Sequence, residues 1–246
     1  MLTAFLDLVL PARCAGCARA GAVVCPACAA ELHGDPCPRA PSPPPHGLPA
    51  CWAAARYEGA ARRAILAYKE RGRTSLARPL AAPLAATLVA ALRAAGALDA
   101  PSALVPIPSS RGAVRRRGHD PVGRLAELAV RALRAQGRPV TLAPVLAQRR
   151  RVRDQAGLSA SQRAANLAGA FGVRQTGNVR EHPLWGRPGP FVVLVDDIVT
   201  TGTTLAQAAE ALRREGVVVP LAVTLAATPR RARHARLGPI RKDYEG

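Results

Sequence analysis

The chain has 246 residues, 49% hydrophobic but only 3% aromatic, enough for one full α/β domain with a core of Ala, Val and Leu plus a small appendage. Its formal charge is +19, from 35 Lys and Arg against 16 Asp and Glu, and Lys69 and Lys242 are its two lysines. The run 2–10 is far below the ~20 apolar residues of a spanning helix, is interrupted by Asp7 and lacks a basic n-region, which argues against a membrane span and a signal peptide.

A cytoplasmic, thiol-reducing setting is therefore expected, and it decides how the cysteines are read. Residues 1–51 hold all six of them. Cys14-x-x-Cys17 and Cys25-x-x-Cys28 form two knuckles separated by seven residues, a pattern that suits one tetrahedral structural Zn²⁺. A segment of about 50 residues so poor in apolar bulk needs such a staple to fold. A redox role is disfavoured, because both copies lie outside a strand–helix context. Cys37 and Cys51 read as free thiols, and His33 and His46 are close enough in sequence to substitute as ligands. Residues 35–49 (DPCPRAPSPPPHGLP) form a Pro-rich linker that cannot sustain a helix or a central strand. The expected organisation is a zinc-binding segment with its linker over 1–51 and a second domain over 52–246.

Residues 58–71 and 76–95 read as helices, being Ala/Leu/Arg-rich with few breakers. From Ser102 onward strands and helices alternate. Strands are predicted at 103–107 and 191–195, with a short one within 140–146 despite Pro144. Helices are predicted at 122–136 and 204–215. A strand at 217–225 is confined by Pro220 to an edge or a bulge. Residues 149–166 form a polar segment suited to a flexible loop, and 229–246 an Arg-rich, partly ordered tail. The alternation predicts a mostly parallel sheet with helices on both faces.

Within that scheme one string carries chemistry. The apolar run from Phe191 to Val195 ends in Asp196 and Asp197, and ligands of open α/β sheets sit beyond the carboxyl ends of strands. Thr200, Thr201, Gly202, Thr203 and Thr204 follow, hydroxyl donors around a turn glycine, and lead into a helix whose N-terminal N–H groups favour an anion. Hydroxyls and amides there suit a monophosphate. The carboxylates suit a sugar diol, or an Mg²⁺ held between that diol and a pyrophosphate. Helix capping by the aspartates is the plainer alternative, and the position of the whole string outweighs it.

The string closely resembles the phosphoribosyl-pyrophosphate (PRPP) motif of type I phosphoribosyltransferases. That resemblance implies that Asp196 and Asp197 take the ribose hydroxyls and that Thr200 to Thr204 take the 5′-phosphate. Further motifs occur in order: the Cys-x-x-Cys pairs, Tyr57-Glu58-Gly59, Lys69 with Arg71-Gly72-Arg73, Val105-Pro106-Ile107-Pro108, Arg117-Gly118, Gln155-Ala156-Gly157-Leu158-Ser159 with Arg163 and Asn166, and Gly169-Ala170-Phe171. Together they resemble the ComF family, associated with DNA uptake during natural transformation, over nearly the whole chain. The likeness implies a type I phosphoribosyltransferase-like fold with an N-terminal zinc segment. Val105 to Pro108 would then mark the pyrophosphate loop, with Arg111 and Arg115-Arg116-Arg117 meeting the pyrophosphate through bidentate bonds. This chain departs from the family at His119-Asp120-Pro121, where Phe-Asn-Gln is frequent, and at Cys37 and Cys51, where further Cys-x-x-Cys pairs are frequent.

Two functions follow as expectations. One is Mg²⁺-dependent transfer of ribose 5-phosphate from PRPP to an acceptor base, with pyrophosphate released. The other is a DNA-uptake factor whose zinc knuckle docks a helicase and whose basic surface guides single-stranded DNA. Because Trp52, Tyr57, Tyr68 and Trp185 are scattered, that binding would rest on phosphate contacts. His119, His182 and His234 have no sequence neighbour that makes a nucleophile–base pair.

Overall fold

The computed structural model describes residues 12–149, 169–174 and 189–229. The motif Gln155 to Ser159 with Arg163 and Asn166, the expected loop beyond Arg149, the tail beyond Pro229, and His182, Trp185 and His234 lie outside the described residues. Six strands, β1 (Cys37–Pro38), β2 (Ala50–Arg56), β3 (Ser102–Pro106), β4 (Val140–Leu142), β7 (Phe191–Val199) and β8 (Leu221–Ala227), form one sheet in the order β1-β2-β8-β7-β3-β4. All neighbours are parallel except β1, which pairs antiparallel with β2. A separate antiparallel pair joins β5 (Leu146–Gln148) to β6 (Phe171–Val173).

The sheet is buried on both faces, and the two-residue alternation of each strand divides the core. Val193 and Val195 of β7 and Leu221, Val223 and Leu225 of β8 point to one side. There they meet the apolar faces of α2 (Gly59–Lys69), α3 (Ala77–Ala94) and α5 (Pro121–Ala135), including Ile65, Leu84, Leu88 and Leu125. Val192 and Leu194 point to the other side, against Leu205 and Leu212 of α6 (Thr203–Arg214) and Phe171 of β6. Each fully buried leucine, such as Leu194, contributes about 1.5–3 kcal/mol. The helical stretch 74–94 is long and apolar enough to cross a membrane, but more than half of its apolar window is buried within the fold.

Two expectations are corrected by the fold. The strand ending in the acidic pair does not stop at Val195. It continues to Val199, with Asp196 opposite Thr224 and Ile198 opposite Ala226, because the buried carboxylate of Asp197 finds a cationic partner. The strand near Pro220 is not at an edge. β8 lies between β2 and β7, and Pro220 stands just outside it, where its carbonyl accepts the N–H of Ala50 and its missing donor costs nothing. The Pro-rich segment supplies only the two-residue edge strand β1, in keeping with its exclusion from central strands, and β2 begins at Ala50.

Candidate functional site

Asp196 and Asp197 stand near the carboxyl end of β7 and line a cleft of about 440 Å³, together with Lys69, Arg117, Ser109, Ser110, Thr200 and Thr204. Asp197 is only 5% exposed, and its Oδ2 lies 2.5 Å from the ammonium of Lys69, the last residue of α2. Burial opposes the charged form of Lys69, but the carboxylates of Asp197 and Asp196 outweigh it and raise the pKa. Asp196 is pushed well above the usual carboxylate range, first by burial and then by the charge of Asp197, while Lys69 pulls the other way. Two carboxylates therefore share one nearby cation. A sugar diol or a divalent ion placed against them relieves that repulsion, and the hard oxygen donors fit Mg²⁺.

The loop after β7 is shaped by Gly202, whose φ of 74° is left-handed and which stands at the N-cap of α6. A Cβ there would lie 3.0–3.1 Å from Leu48 and Pro41, so the Pro-rich segment rests directly on the loop. That segment is also fastened to α6, because Arg213 donates to the carbonyl of Gly47 at 2.9 Å. No side chain caps α6, so its first N–H groups face the loop, where Thr201 and Thr203 share a hydroxyl hydrogen bond of 3.0 Å. Thr200, Thr201, Gly202, Thr203 and Thr204 thus form the turn from β7 into α6, with Thr200 and Thr204 on the wall of the cleft beside the acidic pair.

Across the cleft, β3 leads to Ser109 and Ser110. Ser110 caps α4 (Arg111–Arg117) by accepting the N–H of Ala113 at 3.2 Å, and Gly118, at φ 74°, ends that helix. Arg111 occupies the first position of α4. Arg117 lines the cleft but donates to both oxygens of Glu70, at 2.7 and 2.9 Å, whereas Arg115 and Arg116 are exposed. Of the expected basic run, Arg117 is the residue whose side chain borders the cleft.

At the N-terminal end, Cys14, Cys17, Cys25 and Cys28 bring their sulfurs within 4.8 Å of one another. A tetrahedral Zn²⁺ with bonds of about 2.3 Å has sulfur–sulfur edges near ~3.8 Å, and Cys17 and Cys25 stand 3.6 Å apart. The N–H groups of Gly16 and Cys25 point at the sulfur of Cys14 at 3.4 and 3.3 Å. Burial opposes the Cys14 thiolate, but those N–H groups and that of Cys17 bring its pKa down to about 6. Burial and the neighbouring cysteines push Cys28 up instead, a frustration that a divalent cation removes. The four cysteines therefore fit a structural zinc. Gly16 makes the packing feasible, since a Cβ there would lie 2.5 Å from the Cys28 sulfur. The knuckle is tied down by α1 (Pro26–His33), whose Glu31 accepts the N–H of Ala60 at 2.9 Å, and by Arg63, which donates to the carbonyl of Gly16. His33 and His46 are exposed and outside the cluster, and Cys37 and Cys51 are free thiols.

The structure thus gathers Asp196, Asp197, Thr200, Thr204 and Arg117 in one cleft and the four cysteines in another place. Lys69 was not among the expected site residues. It had a signal nonetheless: it is one of two lysines in a chain that otherwise uses arginine. Ser109, Ser110 and Gln148 carry no comparable signal. The family model for the phosphoribosyl transferase domain matches residues 116–245, which is 130 of the 246 residues. The chain belongs to this family. It is also 34% identical over 120 residues to Competence protein F of Haemophilus influenzae, covering 49% of this chain and 48% of that protein. The chain thus spans about half the length of that relative, and the match supports the ComF-family assignment drawn from the motifs. The phosphoribosyltransferase domain, its mostly parallel sheet and the clustered cysteines together fit the type I phosphoribosyltransferase-like architecture expected of it.

Proposed function

We propose that this phosphoribosyltransferase-domain chain binds PRPP with Mg²⁺ at the carboxyl edge of the sheet and acts in the cytoplasm in competence, the process named in its relative. The observation that carries this reading is the pairing of the Asp196–Asp197 floor with an uncapped, Gly202-turned helix N-terminus in one cleft. In it, Asp196 and Asp197 hold the ribose hydroxyls, and the cradle from Thr200 to Thr204 holds the 5′-phosphate. Lys69 holds Asp197 in place through its ion pair, and Arg117 swings from Glu70 to the pyrophosphate. When bound, Mg²⁺ neutralises charge on that pyrophosphate. If turnover follows, positioning and leaving-group stabilisation carry it. Calorimetric titration of the zinc-loaded protein with PRPP is expected to show Mg²⁺-dependent binding that Asp196→Asn/Asp197→Asn abolishes. A folded, zinc-replete wild type that binds no PRPP would end this reading.

A second reading, single-stranded DNA binding in the same uptake process with a competence helicase as partner, is favoured by a separate cleft of about 640 Å³ beside the cysteines. Arg13, Arg62, Arg63, Arg71 and Arg73 line it, with no Asp or Glu among its described lining residues. Binding of a single-stranded oligonucleotide there should weaken steeply with salt. Arg62→Ala/Arg71→Ala should lower the log–log salt slope by roughly 0.7 for each phosphate that the variant no longer neutralises. Binding that ignores salt, or a slope unchanged in that variant, would remove this reading.

A further inference from the structure

Two clefts lie side by side along the carboxyl edge of the sheet. One, at the ends of β3 and β7, holds the acidic pair. The other, of about 310 Å³, opens at the ends of three adjacent parallel strands: Arg56 ends β2, Val199 ends β7 and Ala227 ends β8, and all three line it. Thr200 lines both clefts and forms the wall between them. Pro38 and Pro41 close the outer side of the second cleft, and Pro41 also rests on Gly202, so the roof over the phosphate cradle is the same segment. A position beyond the carboxyl ends of parallel strands is where this class of sheet takes its ligands.

Among the described residues the charge in the second cleft has one sign: Arg39 and Arg56 line it, and no Asp or Glu does. Among the described residues neither guanidinium makes an ion pair. The Nε of Arg39 is shut off from solvent and has no hydrogen-bond partner, although buried donors nearly always find an acceptor. Behind the two arginines, Glu31, Asp35 and Glu58 line a smaller hollow of about 230 Å³ that both arginines border. Glu31 is already committed to the N–H of Ala60. None of these carboxylates forms an ion pair with either guanidinium, and among the described residues the cleft side offers the two arginines no carboxylate acceptor.

We propose that this cleft is the anion subsite of a second substrate, in which Arg39 and Arg56 take a carboxylate or phosphate group on the molecule that accepts the ribose 5-phosphate. In assigning the ligand that role, the proposal rests on the PRPP reading. The transfer balances simply. A lone pair on the acceptor forms the bond to the ribose C1, and the bond from C1 to the pyrophosphate oxygen breaks, its electrons leaving with pyrophosphate. The acceptor's proton passes to water. The shared wall at Thr200 sets sugar and acceptor in adjacent compartments, and the two arginines select acceptors that carry a negative group.

The test is calorimetry on the full-length zinc-loaded protein, with and without PRPP and Mg²⁺, using orotate, its uncharged parent uracil, and orthophosphate. The expected result is that wild type binds orotate or orthophosphate and not uracil, and the preferred anion tells a carboxylate acceptor from a phosphorylated one. Arg39→Gln and Arg56→Gln should each weaken that binding about ten- to hundredfold, with part recovered in Arg39→Lys, while PRPP affinity stays within about twofold. Melting curves check that each variant is folded. The proposal is overturned if a wild type that binds PRPP takes neither anion, or if the Gln variants weaken PRPP as much as they weaken the anion. Anion binding that depends on the arginines in a protein that binds no PRPP would instead sink the PRPP reading and the second-substrate role together, leaving an anion site.

Discussion

Four sulfurs organise the N-terminal knuckle, whereas two apolar faces organise the sheet. The buried cluster around Cys14, Cys25 and Cys28 adds only Ala60 and the partly buried Val24, while each side of the sheet packs more than twenty buried residues. The knuckle is therefore expected to depend on a bound metal for its fold, whereas the sheet folds because apolar surface leaves water. The two meet through polar contacts, Glu31 to Ala60, Arg63 to Gly16 and Arg73 to Arg13, and through Leu32, Ala15, Val23 and Val24, which pack against one side of the sheet's core. A region held by coordination can be switched off chemically without touching the one held by burial.

Removing zinc with a chelator, or substituting Cys28→Ser, should break that contrast hardest. Metal binding of this kind is worth about 10 kcal/mol or more to a small domain. Hydrogen exchange should show residues 12–33 losing protection while amides of β7 and β8 keep theirs. Equal loss in β7 would mean that the two regions form one cooperative unit.

A smaller effect comes from within the sheet's own site. Lys69→Met strands the buried carboxylate of Asp197 and should cost about 2 kcal/mol. That is below the value for a fully buried pair, because the Lys69 side chain is 31% exposed. Exposed pairs such as Arg124 with Glu127 should cost only about 0.3–0.5 kcal/mol. Denaturant melts of Lys69→Met, and of Lys69→Met/Asp197→Asn, check this: the second substitution should restore much of the stability.

An effect smaller than that of Lys69→Met has the opposite sign. Asp196 has its pKa raised in the fold, so the native state prefers its neutral form. Below the ordinary carboxylate pKa of about 3.9 both states are protonated, and the group costs nothing. As pH climbs above that value, wild type loses stability progressively until the folded carboxyl itself ionises. Asp196→Asn escapes that loss, so its melting temperature should match wild type in acid and exceed it by a few degrees at neutral pH. A variant that melts lower at neutral pH would show that the carboxylate stabilises the fold.

How much of this was legible depends on the range of each interaction. Helices α2, α3 and α5 and the strand run at Phe191 were visible because their apolar periodicity is local. The acidic pair and the Thr-Gly loop were visible because a strand, a turn and a helix N-terminus are contiguous in sequence. The partnership of Lys69 with Asp197 spans more than a hundred residues and leaves no periodic trace. Pro220 was misleading because its rule concerns a ladder position, and one residue decides whether proline lies inside or outside it. The roof formed by Pro41 and Leu48 was hidden for a related reason: composition marks a segment as irregular without saying what it rests on.

The position of β2 also has a consequence for biosynthesis. Ala50 pairs with Leu221, so an early strand must wait for one some 170 residues later before its parallel neighbour exists. Until the ribosome has delivered β8, β2 and β7 each present an unpaired edge. Closing so long a loop makes assembly of the sheet slow. Among the described strands, the last one made completes the middle of the sheet, and the nascent chain is exposed to aggregation until it arrives.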